Sequence, residues 1–245
     1  MLFNHPVVYA HLHRDGHPLA WHVHLAVSKH IPEQAGLGGG SSNAACVVQL
    51  LQQHFNAPLK THELATLALQ LGADRPLFLQ PHCAWVEGIG EQLTPLPDIE
   101  GHLLVYKPPE SCKTNEIFSA RELTRGATPV KIAVFDSGPH QKQVFSEWLW
   151  RFLRENTNNA LEPAVKALSP TWCKRWSHFS ELAGAHLPLL LRMTGSGSAV
   201  FAAYATSAQA DAAFQACQAL EGQLFRCQIE QSTAEQHTES NWQYK

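Results

Sequence analysis

From residue 41 to residue 55 the apolar positions Ala44, Val47, Val48 and Leu51 recur every three or four residues. That spacing lines one face of an α-helix, and Asn56-Ala57-Pro58 ends the run. A second helix is predicted over 61–71, with Leu64, Leu67, Ala68 and Leu71 on one face and Gly72 behind it as the stop. Before these helices the chain alternates apolar and polar residues around 5–13 and 20–27 and breaks at Gly16-His17-Pro18, the mark of a β-rich start. After them come a turn holding Asp74, a short apolar run over 77–79, and two predicted strands, 83–87 and 92–96, on either side of Gly88-Ile89-Gly90. Glu87 and Glu91 read as solvated charges at the strand ends.

Pro95, Pro97 and Gly101 mark an expected domain boundary. Beyond it a strand is predicted over 102–106 and helices over 114–125, 144–153, 160–168 and 172–184, with a surface loop rich in proline and glycine over 128–141. Two apolar runs, 187–193 and 199–204, enclose Thr194-Gly195-Ser196-Gly197-Ser198 and read as a β-hairpin. A helix over 207–220 and a closing strand over 223–229 complete the order. Residues 231–245 are polar and without period, so they are expected to be disordered. The order of elements predicts an α+β chain of two domains, 1–98 and 102–230, with that tail behind them.

A chain of 245 residues with 44% hydrophobic content is long enough for one large core or two smaller ones. Its formal net charge of -3 lacks the basic footprint that nucleic acid or an acidic membrane surface demands, so neither is expected as a partner. The cysteines, at 46, 83, 112, 173, 217 and 227, include no C-x-x-C pair, which suits free and mostly buried thiols in a reducing cytosol. No charged start followed by an apolar core opens the chain, and no stretch nears the length of a membrane span, so the reading is a soluble, cytoplasmic protein. Histidine is abundant, at 15 residues. The pairs His11/His13 and His22/His24 would each share one face of a strand, yet no cysteine or carboxylate stands beside them at ligand spacing, so no closed metal set is expected.

The chemistry concentrates at Pro32-Glu33-Gln34-Ala35-Gly36-Leu37-Gly38-Gly39-Gly40-Ser41-Ser42. Glycines without a Cβ at 36, 38, 39 and 40 can take positive φ and let backbone approach a ligand closely. Ser41 and Ser42 then stand at a helix N-terminus, where unpaired N–H groups and the positive end of the helix dipole favour an anion. A flexible glycine-serine linker has a similar composition. A linker, however, does not run directly into an Ala/Val/Leu helix. The loop lacks the Lys-Ser/Thr ending of the P-loop and the G-x-G-x-x-G spacing of dinucleotide folds.

Three motifs stand in order: the AGLGGGSSNAA loop, the GADRP turn at 72–76 and the TGSGSAVFA hairpin at 194–202. Together they resemble the GHMP small-molecule kinases. Within that family the GIGE segment at 88–91 and Asn158-Asn159-Ala160-Leu161-Glu162-Pro163-Ala164-Val165 are similar to a branch that phosphorylates the 2-hydroxyl of a cytidine-diphosphate-linked methylerythritol on the way to isoprenoid precursors. The resemblance implies a ribosomal S5 domain 2-like N-terminal domain, truncated here, and a ferredoxin-like C-terminal domain. It implies ATP and Mg²⁺ as cofactors, a small-molecule substrate, and leaves a homodimer open. It implies that the stretch from Pro32 to Ser42 binds ATP, with Gly36 to Ser42 wrapped around the phosphates, that Ser42 helps hold Mg²⁺, and that Asp74 is the catalytic base. It further implies that Thr194, Gly195, Ser196 and Gly197 form a wall supporting phosphate or substrate. Taken alone, Asp74 reads as a turn carboxylate bonded to its own backbone, and 194–198 equally as a plain hairpin turn.

The family's opening P-A-K-x-N-L strand, whose lysine pairs with the aspartate, and its G-Y-H cytidine segment have no counterpart in the chain. Arg75 stands where the family usually has valine, and its guanidinium beside Asp74 would lower that carboxylate's basicity. Two readings stay open beside the kinase: a nucleotide-binding remnant without turnover, and a GHMP kinase for another small alcohol such as homoserine or a mevalonate-like compound.

Overall fold

The structure is a computed structural model and describes residues 25–54, 66, 76–80, 83–120 and 142–229. Most of the predicted β-rich start, the second helix but for Thr66, Asp74 with Arg75, the 128–141 loop and the tail lie outside the described residues. Residues 25–30, the end of the expected alternating segment, are exposed and form neither helix nor strand.

The chain divides into two compact units. The first comprises Met1–Ile31, Gly39–Gln80 and Ala84–Thr94; the second comprises Pro32–Gly38, Pro81–Cys83 and Pro95–Lys245. In the first, helix α1 (Gly39–His54) buries Ala44, Ala45, Val47 and Val48, and a 3-10 turn at Leu77–Leu79 packs on it. The helix begins two residues earlier than the apolar period indicates because Gly39 and Gly40 adopt helical rather than positive-φ conformations. Gly39 also makes room for Ile31, whose Cγ2 would stand 3.1 Å from a Cβ there. Strands β1 (Ala84–Glu87) and β2 (Gln92–Pro95) pair as a hairpin. Glu91 is more than a solvated charge: its carboxylate accepts the Ile89 N–H at 2.7 Å and closes the turn.

The second unit is built on an antiparallel sheet in the order β4-β5-β3-β6. Strand β3 (His102–Lys107) lies inside it, with His102 opposite Tyr204 of β5 (Val200–Tyr204) and opposite Gln228 of β6 (Gln223–Gln228). The edge strand β4 (Leu190–Met193) pairs with β5, Met193 opposite Val200. Side chains alternate across β3, so Leu104 and Tyr106 face one layer and Leu103 and Val105 the other. The first layer holds helices α4 (Glu162–Leu168), α5 (Pro170–Gly184) and α6 (Ser207–Cys217), where Trp172, Phe179, Ala183, Ala213 and Cys217 meet Leu104, Tyr106, Ala202 and Tyr204. On the second face Trp150 of α3 (Lys142–Asn156) packs with Leu190 and Ala203, while Ala35 packs with Val105 and Ala199.

Helix α2 (Thr114–Ser119) is shorter than the predicted 114–125. Ala120 is already extended, Ile117 is the one buried side chain of the helix, and residues 121–125 of the prediction lie outside the described residues. Only Cys112 and Cys217 of the six free cysteines are buried; Cys46 faces outward on α1 and Cys227 lies on the edge strand β6, so the expectation of mostly buried thiols fails where one face of an element meets solvent. Among the described residues no helix is long and apolar enough to cross a membrane.

Two predictions test this core. Phe179, fully buried and stacked on Tyr106 with ring centroids 5.3 Å apart, should cost roughly 3–5 kcal/mol when truncated to alanine, read from urea unfolding. Burial pushes the Cys217 thiol from the usual 9.0 up to about 11. A raised folded-state pKa means that the unfolded chain releases this proton first. The stability it contributes is therefore whole below pH 9 and falls as pH rises toward 11, by on the order of 2 kcal/mol. Unfolding measured at pH 8 and pH 11 should show a smaller alkaline loss in Cys217→Ala than in the unaltered chain.

Candidate active site: a glycine loop seated on a hairpin turn

The glycine loop passes from the second unit to the first between Gly38 and Gly39. In the part from Pro32 to Gly38, Gln34, Gly36 and Gly38 all have positive φ, at 52°, 69° and 69°. Glu33 and Gln34 are exposed, Pro32, Leu37 and Gly38 half-buried, and Ala35 fully buried. The apolar side chains of this short stretch thus point into the core with Val105, Phe201 and Phe225, and the backbone turns around them.

What holds that backbone is the turn between β4 and β5. The Ser198 N–H donates to the Gln34 carbonyl at 3.3 Å and the Ala199 N–H to the Ala35 carbonyl at 3.2 Å. The Thr194 hydroxyl lies 2.7 Å from the Ala35 carbonyl and 3.2 Å from that of Ala199. At Gly36 backbone meets backbone. A Cβ there would collide with the Thr194 carbonyl oxygen and sit 2.9 Å from the Gly197 nitrogen. At Gly195 a Cβ would sit 2.9 Å from the Gly36 carbonyl oxygen. The two glycine motifs, far apart in sequence, are therefore in direct contact, and the contact needs glycine on both sides.

The turn is itself fixed from behind. The Asn159 amide nitrogen donates to the Met193 and Gly195 carbonyls at 3.0 and 2.8 Å, and its Oδ1 accepts the Leu161 N–H at 3.0 Å. Trp172 Nε1 donates to the Ser198 carbonyl at 2.8 Å. The Ser198 hydroxyl donates to the Glu110 carbonyl, and Ser196 Oγ lies 3.2 Å from Thr114 Oγ1. Lys107, buried below the same segment, donates to the Pro108 and Glu110 carbonyls at 2.7 Å each, and burial lowers its pKa. Arg175 braces Glu110 through Nε at 2.8 Å. Sequence reasoning took Ser198 only as the end of the hairpin turn and missed Glu110, Trp172 and Lys107, for which an indole opening a helix was the only local signal.

In the first unit the start of α1 has the chemistry an anion requires. Its first turn carries no acidic side chain, and a Cβ built on Gly40 meets nothing within 4 Å. The Ser42 hydroxyl donates to the Gly39 carbonyl at 3.1 Å, which leaves its oxygen lone pairs as acceptors or as a hard-cation ligand. These are groups that a phosphate could engage, with one hydroxyl oxygen open to a hard cation. Asp74 lies outside the described residues, as does its geometry toward Ser42.

A family model described as GHMP kinases N terminal domain matches residues 6–79. The chain is 40% identical over 193 residues to a 4-diphosphocytidyl-2-C-methyl-D-erythritol kinase of Polaromonas naphthalenivorans (strain CJ2), covering 77% of this chain and 58% of that protein. It is 41% identical to the enzyme of the same name from Xanthomonas axonopodis pv. citri (strain 306), covering 77% and 57%. The chain thus spans less than two thirds of the length of these relatives. Among solved structures, a 4-(cytidine 5'-diphospho)-2C-methyl-D-erythritol kinase superposes with a TM-score of 0.60 at 32% identity, covering 82% of this chain and 68% of that one. A homoserine kinase from Cytophaga hutchinsonii superposes with a TM-score of 0.62 at 15% identity, covering 83% and 69%, a likeness of fold.

Proposed function

The chain belongs to the GHMP kinase family and has its α+β fold, and from that premise we propose that it transfers the γ-phosphate of ATP to the 2-hydroxyl of 4-diphosphocytidyl-2-C-methyl-D-erythritol, a step in isoprenoid-precursor synthesis. The observation that carries the reading is the contact of Gly36 with Thr194, Gly195 and Gly197, which seats the positive-φ glycine loop on the hairpin turn. Support for the substrate comes from relatives that bear this substrate in their names.

In this reading residues 1–98 form the ATP-binding domain and 102–230 the second domain. The segment from Pro32 to Ser42 receives the phosphates, and the N–H groups at the start of α1 stabilise negative charge on them. Ser42 Oγ would help to hold Mg²⁺, which would supply neutralisation of the phosphate charge. Thr194, Gly195, Ser196 and Gly197 act by setting the loop rather than by touching substrate, since the Thr194 hydroxyl is engaged with Ala35 and that of Ser196 with Thr114. Asp74 takes the proton of the attacking hydroxyl. The new bond joins that oxygen to the γ-phosphorus, the bond to the β,γ-bridging oxygen breaks, and ADP leaves.

The test is direct. Purified chain with Mg-ATP should release ADP only when 4-diphosphocytidyl-2-C-methyl-D-erythritol is added; homoserine and mevalonate serve as competing acceptors. ADP release with either of those instead reassigns the substrate, and ATP binding by calorimetry without release for any acceptor replaces the kinase reading with a nucleotide-binding one.

A further inference from the structure

The segment 158–165 carries part of the family likeness, yet the phosphoryl-transfer step itself gives it no work. Its second asparagine is the exception in the structure. Asn159 is half-buried, and each polar end of its amide is used: the nitrogen for the Met193 and Gly195 carbonyls, the oxygen for the Leu161 N–H. The amide can lie only this way round, because a flipped group would set an acceptor against two acceptors. The two carbonyls it grips flank Thr194, the residue whose hydroxyl holds Ala35 and whose carbonyl lies against Gly36. One step further, Gly195 lies against the Gly36 carbonyl.

We infer that Asn159 is a positioning residue for the phosphate loop: by clamping the carbonyls on both sides of Thr194 it sets the surface on which Gly36 is seated. The inference rests on the kinase reading for its effect on ATP, but not for its effect on the loop. Asn159→Asp separates clamp from fold, because the carboxylate still accepts the Leu161 N–H, preserving the lead-in to α4, while both donors become acceptors facing carbonyls. Asn159→Ala removes the donors without repulsion and carries the comparison if the aspartate variant fails to fold. Asn158→Asp makes the same charge change on an exposed neighbour.

The experiment is hydrogen exchange on the whole chain, reading peptides that cover 32–38, beside calorimetric titration with Mg-ATP. Both Asn159 variants should exchange about tenfold faster or more at 34–38 and bind ATP about tenfold more weakly, with Asn158→Asp unchanged in both. Exchange at 34–38 that stays at the unaltered rate in the Asn159 variants, or rises equally in Asn158→Asp, overturns the inference whatever ATP affinity does. An unaltered chain that binds no ATP defeats the kinase reading instead, and the exchange comparison still decides the role of Asn159.

Discussion

Gly36→Ala should lower kcat/KM for ATP by about a hundredfold or more, with the loss concentrated in ATP binding. Two costs add at this position. Alanine at φ +69° pays roughly 1–2 kcal/mol for the left-handed conformation. Its methyl must also displace the Thr194 carbonyl, which is backbone within a turn held by Asn159, Ser198 and Ala199 and has no rotamer into which to swing. Overpacking of that kind costs roughly 1–3 kcal/mol. Since the loop can escape both costs by leaving the turn, the altered chain should stay folded while its loop detaches. Steady-state kinetics with calorimetric ATP binding checks this; near-normal affinity would mean that the seated loop is not what ATP selects.

Asp74→Asn should leave ATP binding close to its original value and reduce kcat by roughly 10²–10⁴, the usual worth of a positioned general base. The pattern is the reverse of that at Gly36. Asparagine keeps the shape of the turn residue and any bond it makes to its own backbone through Oδ1, but it cannot take the hydroxyl proton. A variant with kcat unchanged would return Asp74 to the role of a turn carboxylate, the other reading its sequence position allows. Single-turnover measurements with saturating ATP distinguish slowed chemistry from slowed release.

Apolar period located α1, α3, α5 and the strands of the second unit to within a few residues, because each buries one well-defined face. At α2 the predicted helix already ends at Ser119, where Ala120 turns extended, and the remainder of that prediction lies outside the described residues. The glycine loop was recognisable from its composition and from the apolar helix it runs into, and half of its expected backbone came out differently: Gly36 and Gly38 turn left-handed while Gly39 and Gly40 become helix. The seating of the loop on the hairpin turn was not readable from either motif. Each glycine run meets its partner through backbone atoms, which carry no residue identity, and only the family pattern placed the two in one site. The part played by Asn159 was hidden for a related reason: the family-like segment contains the residue, but the carbonyls it binds lie 34 and 36 residues on.

The place of β3 in its sheet bears on how the protein is made. Both neighbours of this strand come from late in the chain, since His102 pairs with Tyr204 and with Gln228. A ribosome adding about 5–20 residues per second takes on the order of 5–20 s to deliver the first of them after β3 has been polymerised. Through that interval Leu103-Leu104-Val105-Tyr106 stays unpaired and apolar on both sides, the kind of segment that nascent-chain chaperones shield. Message truncated before codon 200 would thus yield an aggregating product rather than a half-built domain.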